Sequence, residues 1–137
     1  EVISSMEEAG WENGIEGFMA TSDLQRVAEY IDQYLPEIYY VNSEPGCVDI
    51  MASGVSKWRG IKILAESLNI AHEDILTVGN YYNDIDMLQH AGVGIAVANS
   101  LPEVKDVADF VTEYDNNHDA VAEIISKMLH HEYDMTK

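Results

Sequence analysis

The sequence predicts an α/β fold, and two observations carry that expectation. Helical and extended segments alternate along most of the chain, and the later strands are apolar throughout rather than alternating with polar residues, as strands buried on both faces are. Of 137 residues, 47% are hydrophobic types, enough to build a core.

Taken in order, residues 1–10 (EVISSMEEAG) read as the end of a helix closed by Gly10, because glycine just past a helical run takes the left-handed cap conformation. GFMA (17–20) is a short strand. Thr21-Ser22-Asp23 then offers N-cap residues for a helix with Leu24, Val27, Ala28, Ile31, Tyr34 and Leu35 at helical spacing, ended by Pro36. IYYVN (38–42) and CVDIM (47–51) are two strands joined by a turn through Ser43-Glu44-Pro45-Gly46. Beyond Ser53 the pattern changes to a helix over 56–68, a strand DILTV (74–78), the turn GNYYN (79–83) and a helix carrying Ile85, Met87 and Leu88. The strand VGIAVA (93–98), a helix over 102–108, a short strand DFVT (109–112) and a helix over 120–129 complete it, with a frayed tail from His130. Residues 53–137 therefore read as a parallel sheet covered on both faces, and 1–52 as part of a smaller α+β module.

Charge removes several functions. Seven Lys+Arg face 25 Asp+Glu, for a formal charge of −18, and a grip on nucleic acid or an anionic membrane needs clustered positive charge. Neither partner is expected, whereas metal cations suit such acidity. A single cysteine cannot form an internal disulfide, which favours the cytoplasm. No apolar run approaches the roughly 18 residues of a membrane span, and no signal-peptide pattern opens the chain. Glu1 stands where a methionine would start translation, so the expectation is a chain cut from a longer polypeptide.

Two polar features stand out. The first is Gly79-Asn80-Tyr81-Tyr82-Asn83-Asp84-Ile85-Asp86, between a buried strand and a helix, where open α/β sheets bind ligands. Alternatively, Asn83 is simply an N-cap and Asp84 a first-turn acid complementing the helix dipole. The second is Ser56-Lys57. A lysine at a helix N-terminus opposes the dipole unless an anion such as phosphate shares the spot, the alternative being an exposed solubilising lysine.

The ordered combination resembles a known family. The SK before a helix, the strand leading to GNYYNDIDML, the AGVGIAVAN strand and turn, the LPEVKDVAD helix and the FVT strand resemble the C-terminal half of the Cof-type phosphatases of the haloacid dehalogenase (HAD) superfamily, over about residues 15–130. The resemblance implies a Rossmann-like HAD core, of which 53–137 would be the C-terminal half, and a cap domain, of which 1–52 would be the C-terminal part. It also implies site roles. Lys57 falls where the family holds the transferring phosphoryl group and the nucleophilic carboxylate together. Asn80 stands where an aspartate usually binds Mg²⁺ directly, Asn83 where the nucleophile or phosphate is oriented, and Asp84 where an acid supports the metal, usually through water. Catalytic roles thus pass to Lys57, Asn83 and Asp84, and metal roles to Asn80 and Asp84.

Two departures qualify this. Asn80 offers a carbonyl oxygen without a charge, which lowers metal affinity. The family's nucleophilic Asp-x-Asp and its phosphate-binding Ser or Thr have no counterpart here, since Asp84-Ile85-Asp86 opens a helix. The expected parent activity is Mg²⁺-dependent hydrolysis of small phosphorylated metabolites, such as sugar phosphates, through an aspartyl-phosphate, with this chain inactive alone. The competing expectation is a non-catalytic, truncated HAD-like module that binds phosphate or a protein. Without the earlier core strands, the sheet is expected to pair through an exposed edge, with the missing N-terminal half or a second copy.

Other motifs fail their structural tests. Asp115-Asn116-Asn117-His118-Asp119 begins like an EF-hand loop but puts Ala120 at the glycine position and Ser126 at the glutamate, so a turn and helix cap is the better reading. Gly92-Val93-Gly94 precedes a strand instead of following one, unlike a dinucleotide fingerprint. The five histidines include no HExxH. Cys47 has no basic neighbour to activate it. Trp58, beside Lys57, is a candidate for the pocket border.

Overall fold

The computed structural model describes residues 17–133. The helix end expected over 1–10 lies outside them. Among the described residues two three-stranded sheets form, one antiparallel and one parallel.

The first sheet has the order β1-β3-β2, from β1 (Gly17–Ala20), β2 (Ile38–Glu44) and β3 (Cys47–Ala52), with α1 (Leu24–Tyr34) against it. β2 runs two residues further than its apolar pattern shows, so the hairpin turn shrinks to Pro45-Gly46, and Gly46 takes a φ of 81° that side chains resist. Register sorts the two faces. Tyr39 opposes Met51 and Val41 opposes Asp49 on one face, whereas Tyr40 opposes Ile50 on the other. The second face meets α1, where Tyr40 Oη donates to both Asp32 carboxylate oxygens at 3.1–3.2 Å. Asp23 sits at the N-cap of α1, but at φ 50° and without a side-chain cap bond, so its sequence signal does not deliver the expected cap.

The second sheet has the order β4-β5-β6, from β4 (Leu76–Gly79), β5 (Val93–Ala96) and β6 (Phe110–Val111), all parallel. Its strands alternate with α2 (Lys57–Leu68), α3 (Ile85–His90), α4 (Pro102–Val107) and α5 (Ala120–Leu129). The predicted α/β fold with a parallel sheet and flanking helices is found. β5 explains why such strands are apolar throughout: Val93 and Ile95 pack with Ile124 of α5 on one face, and Ala96 packs with Leu88 of α3 and Val104 of α4 on the other. Its predicted last two residues turn away instead, closed by the Ser100 N–H on the Val97 carbonyl at 2.9 Å. DILTV likewise loses Asp74 to a turn over His72–Asp74, and its strand begins at Leu76.

Burial is unequal between the sheets. Ile31 and Val48 are the buried apolar side chains described in 17–52, whereas Leu88, Val93, Ile95, Ala96 and Val104 all have zero exposure. No helix among the described residues is long and apolar enough to cross a membrane.

The loop after β6 is fastened by one acid. Glu123 of α5 accepts from the Glu113 and Tyr114 N–H groups at 3.0–3.1 Å and from Lys127 Nζ at 2.7 Å. Burial opposes its ionisation, but Lys127 and the two N–H groups prevail and hold its carboxyl below the usual range, while Glu123 in turn raises Lys127. A depressed carboxyl stabilises the fold above its unfolded value, near 4.5, and that contribution disappears as pH falls through the folded value. Glu123→Gln is therefore expected to lower the melting temperature by several degrees at neutral pH, the gap from wild type narrowing on acidification. Melting curves across pH check it, and a gap independent of pH would refute the assignment.

Candidate active site

The site forms where α2, β4 and α3 converge. Ser56 caps α2, its Oγ accepting from the Arg59 N–H at 3.1 Å, which makes Lys57 the first helical residue. From there Lys57 Nζ reaches Asp84 Oδ1 at 2.5 Å. Asp84 is 4% exposed, and its other oxygen accepts from the N–H of Asn80 at 2.8 Å and of Tyr81 at 3.2 Å. One carboxylate thus fixes both the lysine and the turn that follows β4. A buried charge persists when it is paired and hydrogen-bonded, and Asp84 is both.

Glycine is required at the end of β4. A Cβ on Gly79 would lie 2.9 Å from Asp84 Cγ and 3.0 Å from Oδ2, too close for the carboxylate to stay. The Gly79 carbonyl accepts from Ser100 Oγ at 3.1 Å and from the Val97 N–H at 3.2 Å, so the loop after β5 braces the same turn.

The N-cap reading of Asn83 does not hold. A short 3-10 turn over Tyr82–Asp84 precedes α3, with Tyr81 at its N-cap position and Asp84 closing a capping box. Asn83 is instead half-buried and lines a cavity of about 340 Å³ together with Lys57. The roof of that cavity is the face of the first sheet carrying Tyr39, Val41, Asp49 and Met51, and its floor includes Tyr82 and Asp86. The structure therefore brings Lys57, Asn83 and Asp84 together and leaves Asn80 exposed at the rim of the turn. Trp58 turns the other way, stacking on His90 with ring centroids 5.8 Å apart, because helical spacing rotates it by about 100° from Lys57. Tyr39 and Asp49 are missed by sequence reasoning, and Tyr82 lies in the polar turn the sequence points to, without a role of its own there. Strand alternation could have placed Tyr39 and Asp49 on one face, but not the partner of that face.

Cys47 donates to Glu44 Oε1 at 3.3 Å, a bond that raises the thiol pKa, in keeping with an unreactive side chain. Asp115 accepts from the Asn117 N–H at 2.8 Å and contacts His118 Nδ1 at 2.7 Å, which is a turn before α5 and not a calcium loop.

Among the described residues no three His, Cys, Asp or Glu side chains gather as a metal cluster. The donors present are the Asn80 amide oxygen and Asp84, whose carboxylate already serves three hydrogen-bond donors. Magnesium takes hard oxygen ligands and retains several waters, so these two residues fit a share of such a site, with Asp84 acting through water.

Comparison with known proteins gives the family and the fold. Residues 13–125 match the family model described as haloacid dehalogenase-like hydrolase. The Bacillus subtilis protein YxeH is 35% identical over 108 residues, which cover 78% of this chain and 40% of that protein. In the same organism, the 5-amino-6-(5-phospho-D-ribitylamino)uracil phosphatase YcsE is 34% identical over 89 residues, 65% of this chain and 35% of its own length. The solved structure of the HAD subclass IIB sugar phosphatase BT4131 superposes with a TM-score of 0.76 at 28% identity, covering 96% of this chain and 49% of that one. The chain spans less than half the length of each of these relatives. With the family model matching most of its residues, and the lysine and buried aspartate meeting at the end of a parallel strand, the chain belongs to the haloacid dehalogenase-like hydrolases.

Proposed function

We propose that this chain supplies the cationic side of a phosphate monoesterase site acting in the cytoplasm on small phosphorylated metabolites, sugar phosphates among them. The observation that carries the reading is the Lys57–Asp84 pair. Asp84 is buried, but the Lys57 side chain is 48% exposed and lines the cavity, so an ammonium N–H not used by Asp84 can meet a phosphoryl oxygen. The N-terminus of α2 adds its partial positive charge at the same place.

In the proposed chemistry a carboxylate oxygen bonds to phosphorus as the ester P–O bond breaks and the departing oxygen takes a proton from a second carboxylic acid; water, giving a proton back to that acid, then displaces the first carboxylate and releases inorganic phosphate. Bound at Asn80 and, through water, Asp84, Mg²⁺ would offset charge on the phosphoryl oxygens. Lys57 neutralises those oxygens, Asp84 holds Lys57 in place, and Asn83 borders the phosphate. Neither carboxylate of Asp84-Ile85-Asp86 is suited to attack, since Asp84 is engaged by three donors and Asp86 pairs with His90 at 3.1 Å. The attacking carboxylate is proposed to come from another segment. The open edge of β4, which has no second strand partner among the described residues, offers a place for that segment or for a second copy of the chain. Exposed Leu64 and Leu68 of α2 and Val121 and Ile125 of α5 are apolar surface for such a partner to cover.

Calorimetric titration with inorganic phosphate, alongside hydrolysis of p-nitrophenyl phosphate with and without Mg²⁺, tests the reading on the 137-residue chain. Phosphate is expected to bind, Lys57→Ala to weaken it by about tenfold or more, and no turnover to occur. Binding indifferent to Lys57→Ala would overturn the role of the lysine. Metal-dependent turnover lost in Asp84→Ala would overturn the inactivity of this chain alone. A second reading, a non-catalytic phosphate-binding module, is favoured by the neutral Asn80; absence of turnover in a polypeptide that also carries the nucleophile segment would select it.

A further inference from the structure

The roof of the Lys57 cavity carries an acid among apolar neighbours. Tyr39, Val41 and Met51 share its face, and Asp49, directly opposite Val41, is half-buried there, its carboxylate making no hydrogen bond or ion pair among the described residues. A half-buried carboxylate with no protein partner keeps its acceptor capacity for water or for a ligand in the cavity. The floor repeats the chemistry, with Asp86 facing the same cavity while paired to His90. Tyr82 completes the floor, its hydroxyl donating to Glu103 at 3.3 Å. At about 340 Å³ the cavity lies at the small end of ligand sites, which run from roughly 300 to 1,000 Å³.

We infer that Asp49 is a specificity-determining residue that selects, by charge, phosphate monoesters whose remaining portion is a neutral or cationic hydrogen-bond donor. The inference rests on the phosphate reading of Lys57 above. An ionised carboxylate only accepts hydrogen bonds, so the part of the ligand beneath the roof must donate them, as a polyol or an amine does. Tyrosine rings on roof and floor supply flat apolar surface for the carbon skeleton. A second phosphate or a carboxylate placed there meets the carboxylate of Asp49, which no lysine or arginine pairs among the described residues, because Lys57 is taken by the first phosphate and Asp84. Specificity of this kind works by penalising the wrong ligand as much as by holding the right one.

The test compares fructose 6-phosphate with fructose 1,6-bisphosphate, and uses inorganic phosphate as the reference probe, by calorimetric titration of the full chain and of Asp49→Asn. Wild type is expected to prefer the monophosphate by about tenfold, a preference that shrinks with added salt. Asp49→Asn, which keeps size and removes charge, is expected to lose most of it. Wild-type binding of both sugars with equal affinity, or a preference that Asp49→Asn leaves untouched, would overturn the inference while phosphate binding still stood. Failure of wild type to bind inorganic phosphate would overturn the phosphate reading and this inference with it. Should Asp49→Asn not fold, the wild-type ratio and its salt dependence decide.

Discussion

Replacing Asp84 with alanine is expected to destabilise the protein by about 3 kcal/mol and to abolish phosphate binding. The truncation leaves the Asn80 and Tyr81 N–H groups without their acceptor and Lys57 without its counter-ion. The two N–H bonds are only part-buried, so water replaces some of what each loses, at about 1 kcal/mol apiece, and the loss of a buried charged acceptor for the half-exposed lysine adds a similar amount. For a chain of this size the melting temperature is expected to fall by about 10 °C. Asp84→Asn separates the two roles. It retains an acceptor for the two N–H groups but no charge for Lys57, so stability should suffer less than in Asp84→Ala while phosphate binding is lost equally. Thermal melts and phosphate titrations of both variants decide. Equal destabilisation would mean that the ion pair, not the turn, dominates, and phosphate binding retained by Asp84→Asn would remove Asp84 as the residue that positions Lys57.

Gly94→Ala is expected to be as damaging, far from any chemistry. Gly94 lies on the face of β5 crossed by α3, and a Cβ there would press into the Leu88 carbonyl group, with the carbonyl carbon 2.8 Å and Cα 2.9 Å away. Those are backbone atoms, which cannot rotate aside as a side chain would. Overpacking of this kind costs about 3 kcal/mol or more, and separation of α3 from β5 would also disturb the zero-exposure packing of Leu88. Gly60→Ala provides the contrast. Gly60 lies inside α2 with no atom within 4 Å of an added Cβ, so alanine should stabilise by up to about 1 kcal/mol. Denaturant unfolding of the pair measures both, and a neutral Gly94→Ala would refute the close approach of α3 to β5.

These variants also mark what the sequence makes legible. The apolar runs of β4 and β5, the helical spacing of α2 and the helix start at Ser56-Lys57 are local signals, and the structure follows them. The close approach at Gly94 is not local, because nothing in Gly92-Val93-Gly94 says that the backbone at Leu88 will lie against it. Asp84 stands out by its neighbours in sequence, but its burial and its grip on the turn emerge only when β4, α2 and α3 are assembled. The same holds for Tyr39 and Asp49, whose alternation tells which face they share and not that Lys57 lies across from it. Trp58 shows the converse limit: adjacency along the chain places it next to Lys57, and the helix turns it to His90.

The unequal burial of the two sheets separates the protein into units that open at different energies. Amides of β1–β3, backed by few buried side chains, are expected to exchange through local openings that leave β4–β6 closed, since the latter share the packing of Leu88, Val93 and Ile95. The Lys57–Asp84 pair belongs to the slow-opening unit, whereas Tyr39 and Asp49 belong to the fast one. On the phosphate reading, ligand entry is expected to need opening of the roof alone, the Lys57–Asp84 pair being set beforehand.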